Sequence, residues 1–367
     1  MNMKNKVILL AAAGLLSLAA CNKKDDNNGS ATTDFNTLKT KVLADFTNNV
    51  AVAGYSDLKT SADDLYAKLQ TLNNSATDAN LSAARDAWKK MRGTWEQCEG
   101  FLFGPVEDND YDPNMDTWPT DYNQMDSLMA NASAFTVADV QNYTLSLRGY
   151  HPIEYVIFGK DGNKTAADLT AKEKEYMMAL AEDLKNTCTS LYSSWSAAPE
   201  NYAQQVITAG AGSTKYTKKQ DVYLAIIGGM MDICEEVGTS KMKDPYDAYL
   251  TEPALAAFLV ESPYAGTSIA DFKNNLIGLQ NVYLGTYNGK SGLGLKDLVA
   301  AKNKSLDNNI QTKIAVAVSS FDNITLPYGQ AIAAQRTQIQ ATMAALDDLK
   351  NTLENDLEPF IKTNITD

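Results

Sequence analysis

The chain has 367 residues, of which 44% are hydrophobic, and its formal net charge at pH 7 is −13. An acidic protein of this kind is a poor ligand for nucleic acid and for bare anionic lipid, because like charges repel, so no nucleic-acid partner is expected. The length allows one large domain or two ordinary ones.

The first 20 residues have the layout of a secretory signal peptide. Lys4 and Lys6 form a short basic region, and the run from Val7 to Ala20 is apolar or small almost throughout. This run is too short to span a membrane as a stable helix. Residues 1–20 are therefore predicted to be a signal that the mature protein lacks.

The signal ends in Leu18-Ala19-Ala20-Cys21, which resembles the lipobox of bacterial lipoproteins. In those proteins the signal is cleaved before the cysteine, and the cysteine thiol receives lipid. Cys21 is therefore the predicted lipidation site. The expected location is the cell envelope, with the lipid in the outer membrane and the protein on the periplasmic face or at the cell surface. The alternative is an ordinary signal peptide followed by a chance cysteine.

A polar segment follows the cysteine, and residues 22–30 contain no apolar side chain to bury. Residues 21–33 are therefore predicted to be the lipid-bearing cysteine and a disordered tether. Within them, Lys24-Asp25-Asp26 resembles the surface-export signal of some Gram-negative lipoproteins. The alternative is a solvated leash in the periplasm.

Apolar residues recur at helical spacing through most of the remaining chain, and no convincing alternation of the strand type is present. The sequence therefore predicts an all-α protein made of two packed helical bundles. The clearest stripes are Leu38, Val42 and Phe46; Leu81, Ala84, Trp88, Met91, Trp95, Cys98 and Leu102; Val222, Ile226, Met230, Ile233 and Val237; Ile269, Phe272, Leu276, Leu279 and Tyr283; and Ile339, Met343, Leu346, Leu349 and Leu353.

Two long connections interrupt this helical spacing of apolar residues. They are Gly104–Asp121 and Gly238–Tyr264, and each contains prolines. Connections of this length are usually functional or disordered, and the aromatic residues of the first favour an ordered one. The second is expected to surround one short helix. It gives the predicted boundary between an N-terminal bundle of residues 34–240 and a C-terminal bundle of residues 241–367.

The remaining cysteines, Cys98, Cys188 and Cys234, are widely spaced. No C-x-x-C pair indicates a zinc knuckle or a redox site. Because Cys98 and Cys234 lie on apolar helical stripes, buried thiols are predicted instead of disulfide bridges.

The chain has a single histidine, His151, which excludes the H-E-x-x-H zinc motif because that motif needs two. On a continuous helix His151 and Glu154 share one face and continue an apolar stripe. The segment is apolar nearly all round, so it is expected to be buried. Pro152 places His151 either at a helix kink or just ahead of a fresh helical turn.

An isolated buried carboxylate is costly, so Glu154 must be paired, protonated or bound to a metal. One interpretation pairs Glu154 with an arginine and gives His151 a hydrogen bond in the core. The other makes the two residues half of a zinc or iron site, which needs further ligands.

Further ligands could come from the helix that carries Trp88. Glu96 or Glu99 would complete a metal site if this helix packs against His151. The simpler alternative pairs Arg92 with Glu96 one turn on and leaves Glu99 facing water.

The string Gly149-Tyr150-His151-Pro152-Ile153-Glu154 resembles the GxHxxE signature of imelysin-like proteins. That family is described as insulin-cleaving metallopeptidases and as the related domain of bacterial iron-uptake proteins. Further stretches similar to the family occur in the expected order: Trp88 through Arg92, Trp95 and Glu99 to Phe103-Gly104-Pro105; Trp118-Pro119-Thr120-Asp121; and Glu261-Ser262-Pro263-Tyr264 into Ser268-Ile269-Ala270-Asp271-Phe272.

The resemblance implies two helical bundles packed together, an envelope location and a site at His151 and Glu154. The expected metal is iron or another divalent ion, zinc included. The residues predicted for this site are His151, Glu154, Glu99 and Glu96 as metal ligands, with Arg92, Trp118 and Asp121 around them.

Three functions are open at this point. The first is a lipoprotein that binds iron, another divalent metal or a metal-bearing ligand, with an outer-membrane or iron-uptake partner. The second is a metallopeptidase with Glu154 as ligand or base, although one histidine and one glutamate do not by themselves supply a metal-bound water and a base. The third is an interaction module in which the motif only fixes the packing of a buried helix.

Overall fold

Helices make up most of residues 34–367, which are the residues that the structure, a computed structural model, describes. The expected all-α fold is confirmed. The α-helices are α1 (Phe35–Asp45), α2 (Val52–Asn74), α3 (Asp78–Glu96), α4 (Pro105–Asp108), α5 (Tyr111–Asp116), α6 (Tyr122–Asn131), α7 (Val137–Asn142), α8 (Tyr150–Phe158), α9 (Ala171–Ser196), α10 (Tyr202–Ile207), α11 (Lys219–Glu236), α12 (Asp244–Ala248), α13 (Pro253–Leu259), α14 (Ser268–Leu284), α15 (Leu295–Lys302), α16 (Lys304–Ser320), α17 (Tyr328–Ala334), α18 (Arg336–Thr352) and α19 (Glu358–Asn364).

Shorter elements complete the described chain. Two-residue strands, β1 (Thr286–Tyr287) and β2 (Lys290–Ser291), form an antiparallel hairpin. The π-helical segments are Phe46–Ala51, Val237–Lys243 and Leu353–Leu357, and the 3-10 turns are Glu99–Phe101, Leu145–Leu147, Ala166–Asp168 and Phe321–Asn323.

The long helix α3 occupies the centre of the packing. Its predicted apolar stripe is buried, with Trp88, Met91 and Trp95 fully removed from solvent. Helix α2 packs against α3 and α9 on one side, while α14 contacts α3 and the following 3-10 turn on the other. A Cβ at Gly278 of α14 would lie 2.4 Å from the Gln97 carbonyl oxygen, so this glycine permits the close approach.

The break expected near residue 240 is not seen in the backbone. The chain is helical from Lys219 to Ala248, because α11 continues through the π-helical segment into α12. Pro245 is the second residue of α12 and comes directly after the π-helical segment. Phe35–Asp367 form one compact unit. The assignment of residues 34–240 and 241–367 to separate bundles stays a prediction.

The connection Gly104–Asp121 is ordered and contains the short helices α4 and α5. Pro105 stands in the first turn of a helix, α4. This connection places Asp116, the last residue of α5, beside α3 and α8.

Cys98, Cys188 and Cys234 are free and buried, as predicted. The predicted signal peptide of residues 1–20 and the lipid-bearing tether of residues 21–33 lie outside the described residues. Among the residues that are described, no helix is long and apolar enough to cross a membrane.

Gly149 fixes how α8 begins. Its φ is +84° and its ψ is −148°, a conformation that favours glycine, and a Cβ there would lie 1.9 Å from the Met115 carbonyl oxygen. This contact seats the start of α8 on the end of α5. It therefore brings His151 next to Asp116.

Gly149→Ala is expected to lower the free energy of unfolding by about 3 kcal/mol or more, since it adds a backbone clash to the strain of a positive φ. The matched control is Gly289→Ala, where φ is +81° and nothing lies within 4 Å of the added Cβ. The control should cost about 1–2 kcal/mol. Urea denaturation of both variants measures the difference, and equal losses would show that the Met115 contact does not constrain α8.

Candidate functional site

His151 lies in the first turn of α8, a helix in which every residue is buried. The helix begins at Tyr150, so Pro152 falls in the first turn and no kink is needed. Of the two backbone geometries considered for His151, the fresh helical turn is the one observed. The side chain points into the protein and is 1% exposed.

Each nitrogen of the His151 imidazole faces a carboxylate. Nε2 lies 3.1 Å from Asp116 Oδ1, and Nδ1 lies 3.4 Å from Glu154 Oε2. The other oxygen of Glu154 accepts hydrogen bonds from the backbone N–H groups of Tyr264 at 2.9 Å and Ala265 at 2.8 Å. Glu154 therefore orients the imidazole and ties α8 to the segment before α14.

Trp118 packs against the same imidazole. The two ring centroids are 4.5 Å apart, and the indole N–H donates to the Leu259 carbonyl oxygen at 3.0 Å. The loop after α5 therefore covers one side of His151.

Arg92 of α3 is fully buried and binds several carboxylates at once. One of its terminal nitrogens lies 2.5 Å from Glu96 Oε1 and 2.5 Å from Glu261 Oε1. The other terminal nitrogen pairs with Asp116, and Nε lies 3.9 Å from Asp271. The Arg92–Glu96 pair considered in the sequence analysis is present, but it belongs to a larger network.

Lys241 approaches this network from the π-helical segment Val237–Lys243. Its Nζ lies 3.1 Å from Glu99, 3.4 Å from Glu261 and 3.5 Å from Glu96. The side-chain amide of Asn275 donates to both Glu96 at 2.6 Å and Glu99 at 2.7 Å. Glu99 is 4% exposed, so it does not face water.

The resulting carboxylate cluster has more acidic than basic groups. Its permanent cations are Arg92 and Lys241, and His151 is its imidazole. Burying unpaired negative charge is costly, so the surplus must be protonated or matched by a further cation. The six buried carboxylates of the cluster are Glu96, Glu99, Asp116, Glu154, Glu261 and Asp271.

The pKa shifts of these groups reflect the crowding of negative charge in the cluster. Burial raises the pKa of Glu96 to about 8 against the opposing effect of Arg92, and burial with the Glu96 charge raises the pKa of Glu99 well above its usual range. Burial also opposes the charged form of His151, but the neighbouring carboxylates of Asp116 and Glu154 outweigh this effect and raise its pKa to about 9. For Asp116, burial opposes ionisation, yet Arg92 holds the pKa well below its ordinary value.

Asp116, His151 and Glu261 offer ligand atoms that all lie within 4.8 Å of one another. Among residues 34–367, each also has a buried atom that forms no hydrogen bond: Asp116 Oδ1, His151 Nε2 and Glu261 Oε2. The first two of these atoms lie 3.1 Å apart. A second group with the same spacing consists of Glu96, Glu99 and Asp116. The first group combines oxygen and imidazole donors, which transition metals accept, whereas the second offers carboxylate oxygens alone.

A cavity of about 200 Å³ reaches this cluster from outside. Trp118, Pro119 and Leu259 form its apolar side. Its polar lining consists mainly of acids and Lys241, which gives it the negative potential that attracts cations. These polar residues are Glu99, Asp112, Asp116, Glu236, Ser240, Lys241, Asp244 and Glu261.

The structure brings together most of the residues that the sequence predicted for the site: His151, Glu154, Glu96, Glu99, Arg92 and Trp118. Asp121 is the exception. It is exposed and accepts a hydrogen bond from the Gln124 backbone N–H at 2.9 Å as the N-cap of α6, because its position just before a helix favours that role. The structure therefore does not bring Asp121 into the cluster.

Sequence reasoning missed Asp116 and Glu261 as candidate ligands. Both lie in irregular or short segments, where spacing does not predict which way a side chain points. The available signals were indirect. Glu261 opens one of the strings that resemble the imelysin-like family, and Asp116 stands two residues before Trp118, which opens another.

The free energy of unfolding of the metal-free protein is expected to fall by several kcal/mol as pH rises from about 5 to about 9. Because the folded-state pKa of Glu96 is raised from 4.5 to about 8, the fold binds a proton that the unfolded chain has released. His151 acts in the same direction between 6.5 and about 9. Urea denaturation with a chelator across this pH range measures the slope.

Glu96→Gln should reduce that slope, because it removes one of the titrating groups while keeping the side-chain volume. Asp121→Asn, an exposed acid outside the cluster, is the matched control and should leave the slope as in the wild type. A pH dependence that is unchanged in Glu96→Gln would contradict the assignment of a bound proton to this carboxyl.

The family model described as Imelysin (peptidase M75) matches residues 51–354. The chain is 28% identical over 327 residues to iron-regulated protein A of Synechococcus elongatus, covering 88% of this chain and 86% of that protein. An iron-regulated protein A precursor from Parabacteroides distasonis has a similar structure, with a TM-score of 0.80 at 25% identity over 92% of this chain and 97% of that one. An imelysin-like protein from Psychrobacter arcticum shares the fold, with a TM-score of 0.72 at 17% identity over 89% and 96% of the two chains. Because the family model covers most of its length, this chain belongs to the imelysin family.

Proposed function

We propose that this protein binds iron or another divalent metal, alone or within a metal-bearing ligand, at Asp116, His151 and Glu261, and serves iron acquisition. The observation that carries the proposal is that these three side chains offer ligand atoms within 4.8 Å of one another, and that each has a buried oxygen or nitrogen that forms no hydrogen bond. A cation at this point would match the surplus negative charge of the carboxylate cluster.

The donor set suits the proposed metals. Carboxylate oxygen with a single imidazole is accepted by iron, manganese and zinc. Glu154 faces the imidazole nitrogen opposite the candidate ligand atom, and such a second partner fixes the ring orientation of metal-binding histidines. Glu154 would therefore act on the metal through His151. The carboxylates of Glu96 and Glu99 would lie beside the metal and neutralise part of its positive charge.

The names of two relatives support iron as the metal, since both the cyanobacterial relative and the Parabacteroides structure are called iron-regulated protein A. The acidic cavity supplies a route for a cation to Asp116 and Glu261. The name of the matching family model is also compatible with a metallopeptidase, and the experiment below separates the two functions.

Wild-type protein purified without chelator is expected to contain iron or another divalent metal, and to bind Fe²⁺ under anaerobic conditions or Zn²⁺. His151→Ala and Asp116→Asn remove candidate ligands. They should weaken binding by more than the roughly 10–100-fold that is typical of losing an outer partner. Elemental analysis measures the content, and competition with a chromophoric chelator measures the affinity.

Glu154→Gln should weaken binding by roughly 10–100-fold, because it disturbs the imidazole without removing a ligand. Asp121→Asn is the exposed control and should bind as the wild type does. Equal metal content in wild type and His151→Ala would exclude His151 from the site. Metal-dependent peptide cleavage that is lost in Glu154→Gln would favour the metallopeptidase.

We also propose that the protein is anchored to the envelope through lipid on Cys21. The support is the sequence around that residue, with its basic start, apolar run and small residues before the cysteine. A helical metal-binding protein anchored to the membrane would be suited to interact with an outer-membrane or iron-uptake partner.

Cys21→Ala is expected to abolish incorporation of labelled palmitate in a Gram-negative host and to release the protein from the membrane fraction. Asn22→Ala, a change at the adjacent position, is the control and should leave labelling intact. Palmitate labelling that persists in Cys21→Ala would reject this anchor.

A further inference from the structure

Lys241 is a buried amine that the metal proposal does not use. Its side chain is 8% exposed, and its Nζ has four carboxylates within 3.6 Å. Two of them, Glu96 and Glu99, belong to the second group of closely spaced ligand atoms, and Glu261 belongs to the first. The ammonium therefore occupies carboxylates that a bound cation would also attract.

We propose that Lys241 is a tethered counter-cation that competes with the metal for the carboxylate cluster and sets its affinity. This inference rests on the proposed metal function. Without metal, the ammonium neutralises part of the negative charge between Glu96, Glu99 and Glu261. When a cation binds at Asp116, His151 and Glu261, the ammonium is repelled and moves outward.

Geometry gives the ammonium a place to go. Lys241 lines the same cavity of about 200 Å³ that reaches the candidate ligands. Glu236 also lines this cavity, and its carboxylate is 3.6 Å from Nζ and 46% exposed. A short outward turn of the lysine would exchange buried partners for this half-exposed one, so the charge would stay paired during the movement.

The backbone around Lys241 is unusual in the same place. The residue belongs to the π-helical segment Val237–Lys243, between α11 and α12. Segments of this kind are rare and are often found at functional sites. Here the segment places Lys241 in the cluster, whereas Lys243 forms an exposed ion pair with Asp247.

The charge of Lys241 determines whether its removal should tighten or weaken metal binding. A positive group a few ångströms from a metal ion repels it, and the repulsion is strong where water is excluded. Removing the Lys241 charge should therefore tighten metal binding. The effect should be larger for a trivalent ion than for a divalent one, because the repulsion scales with the charge of the ion.

The test compares Lys241→Met with Lys243→Met, two isosteric changes in one helical segment. At about pH 8, where the carboxyl groups lose protons more readily, Lys241→Met is expected to bind Zn²⁺ or Fe²⁺ about tenfold or more tightly than the wild type. Lys243→Met should match the wild type. Unchanged or weaker binding by a folded Lys241→Met would overturn the inference.

Acetylation of the wild type provides a second measurement that does not need the variant to fold. Brief treatment with acetic anhydride, read by mass spectrometry, should modify Lys241 several-fold more in the metal-loaded protein than in the metal-free protein. Lys243 serves as the internal reference, because its side chain is 55% exposed. Equal modification of Lys241 in both states would also overturn the inference.

The two proposals fail in different ways. If neither wild type nor Lys241→Met binds metal, the metal function itself is rejected. If the wild type binds metal and neither measurement responds at Lys241, only the role of the lysine is rejected. Binding by Lys241→Met alone would support the competition.

Discussion

The site depends on the buried guanidinium of Arg92, which lies within ion-pair distance of Glu96, Asp116, Glu261 and Asp271. Removing a charged group from water costs several kcal/mol, so none of these carboxylates would be stable at its position without such a partner. One guanidinium does not balance four acids. The negative charge that remains is offset by protons and by Lys241, and the proposed metal ion would offset it further.

The fold makes this concentration of charge possible because it brings five separate parts of the chain together at the cluster. Arg92 comes from the long helix α3, Asp116 from the end of α5, His151 from α8, Lys241 from the π-helical segment, and Glu261 from the segment before α14. Helices that are buried on several sides hold these backbones in place. The acids therefore cannot relieve their repulsion by separating, and they remain available as ligands.

Much of this arrangement could be predicted from the sequence, and the rest could not for a definite reason. Helical spacing identified the buried stripe of α3, and the GxHxxE string placed His151 beside Glu154. Asp116 and Glu261 were not predicted as ligands, because the directions of their side chains depend on irregular backbone. The close approach of Gly149 to Met115 is one example. The sequence also predicted that Gly238 would begin a connection, whereas the helix continues there through the π-helical segment into α12.

The clamp between Glu154 and the backbone amides of Tyr264 and Ala265 has a consequence for the order of assembly. These partners, like Glu261, are synthesised long after His151. A growing chain therefore carries the imidazole before it carries the groups that orient it and complete its surroundings. Under the proposed function, a metal would therefore bind only after the fold is complete, and the ions of the compartment in which folding ends would decide which metal is loaded.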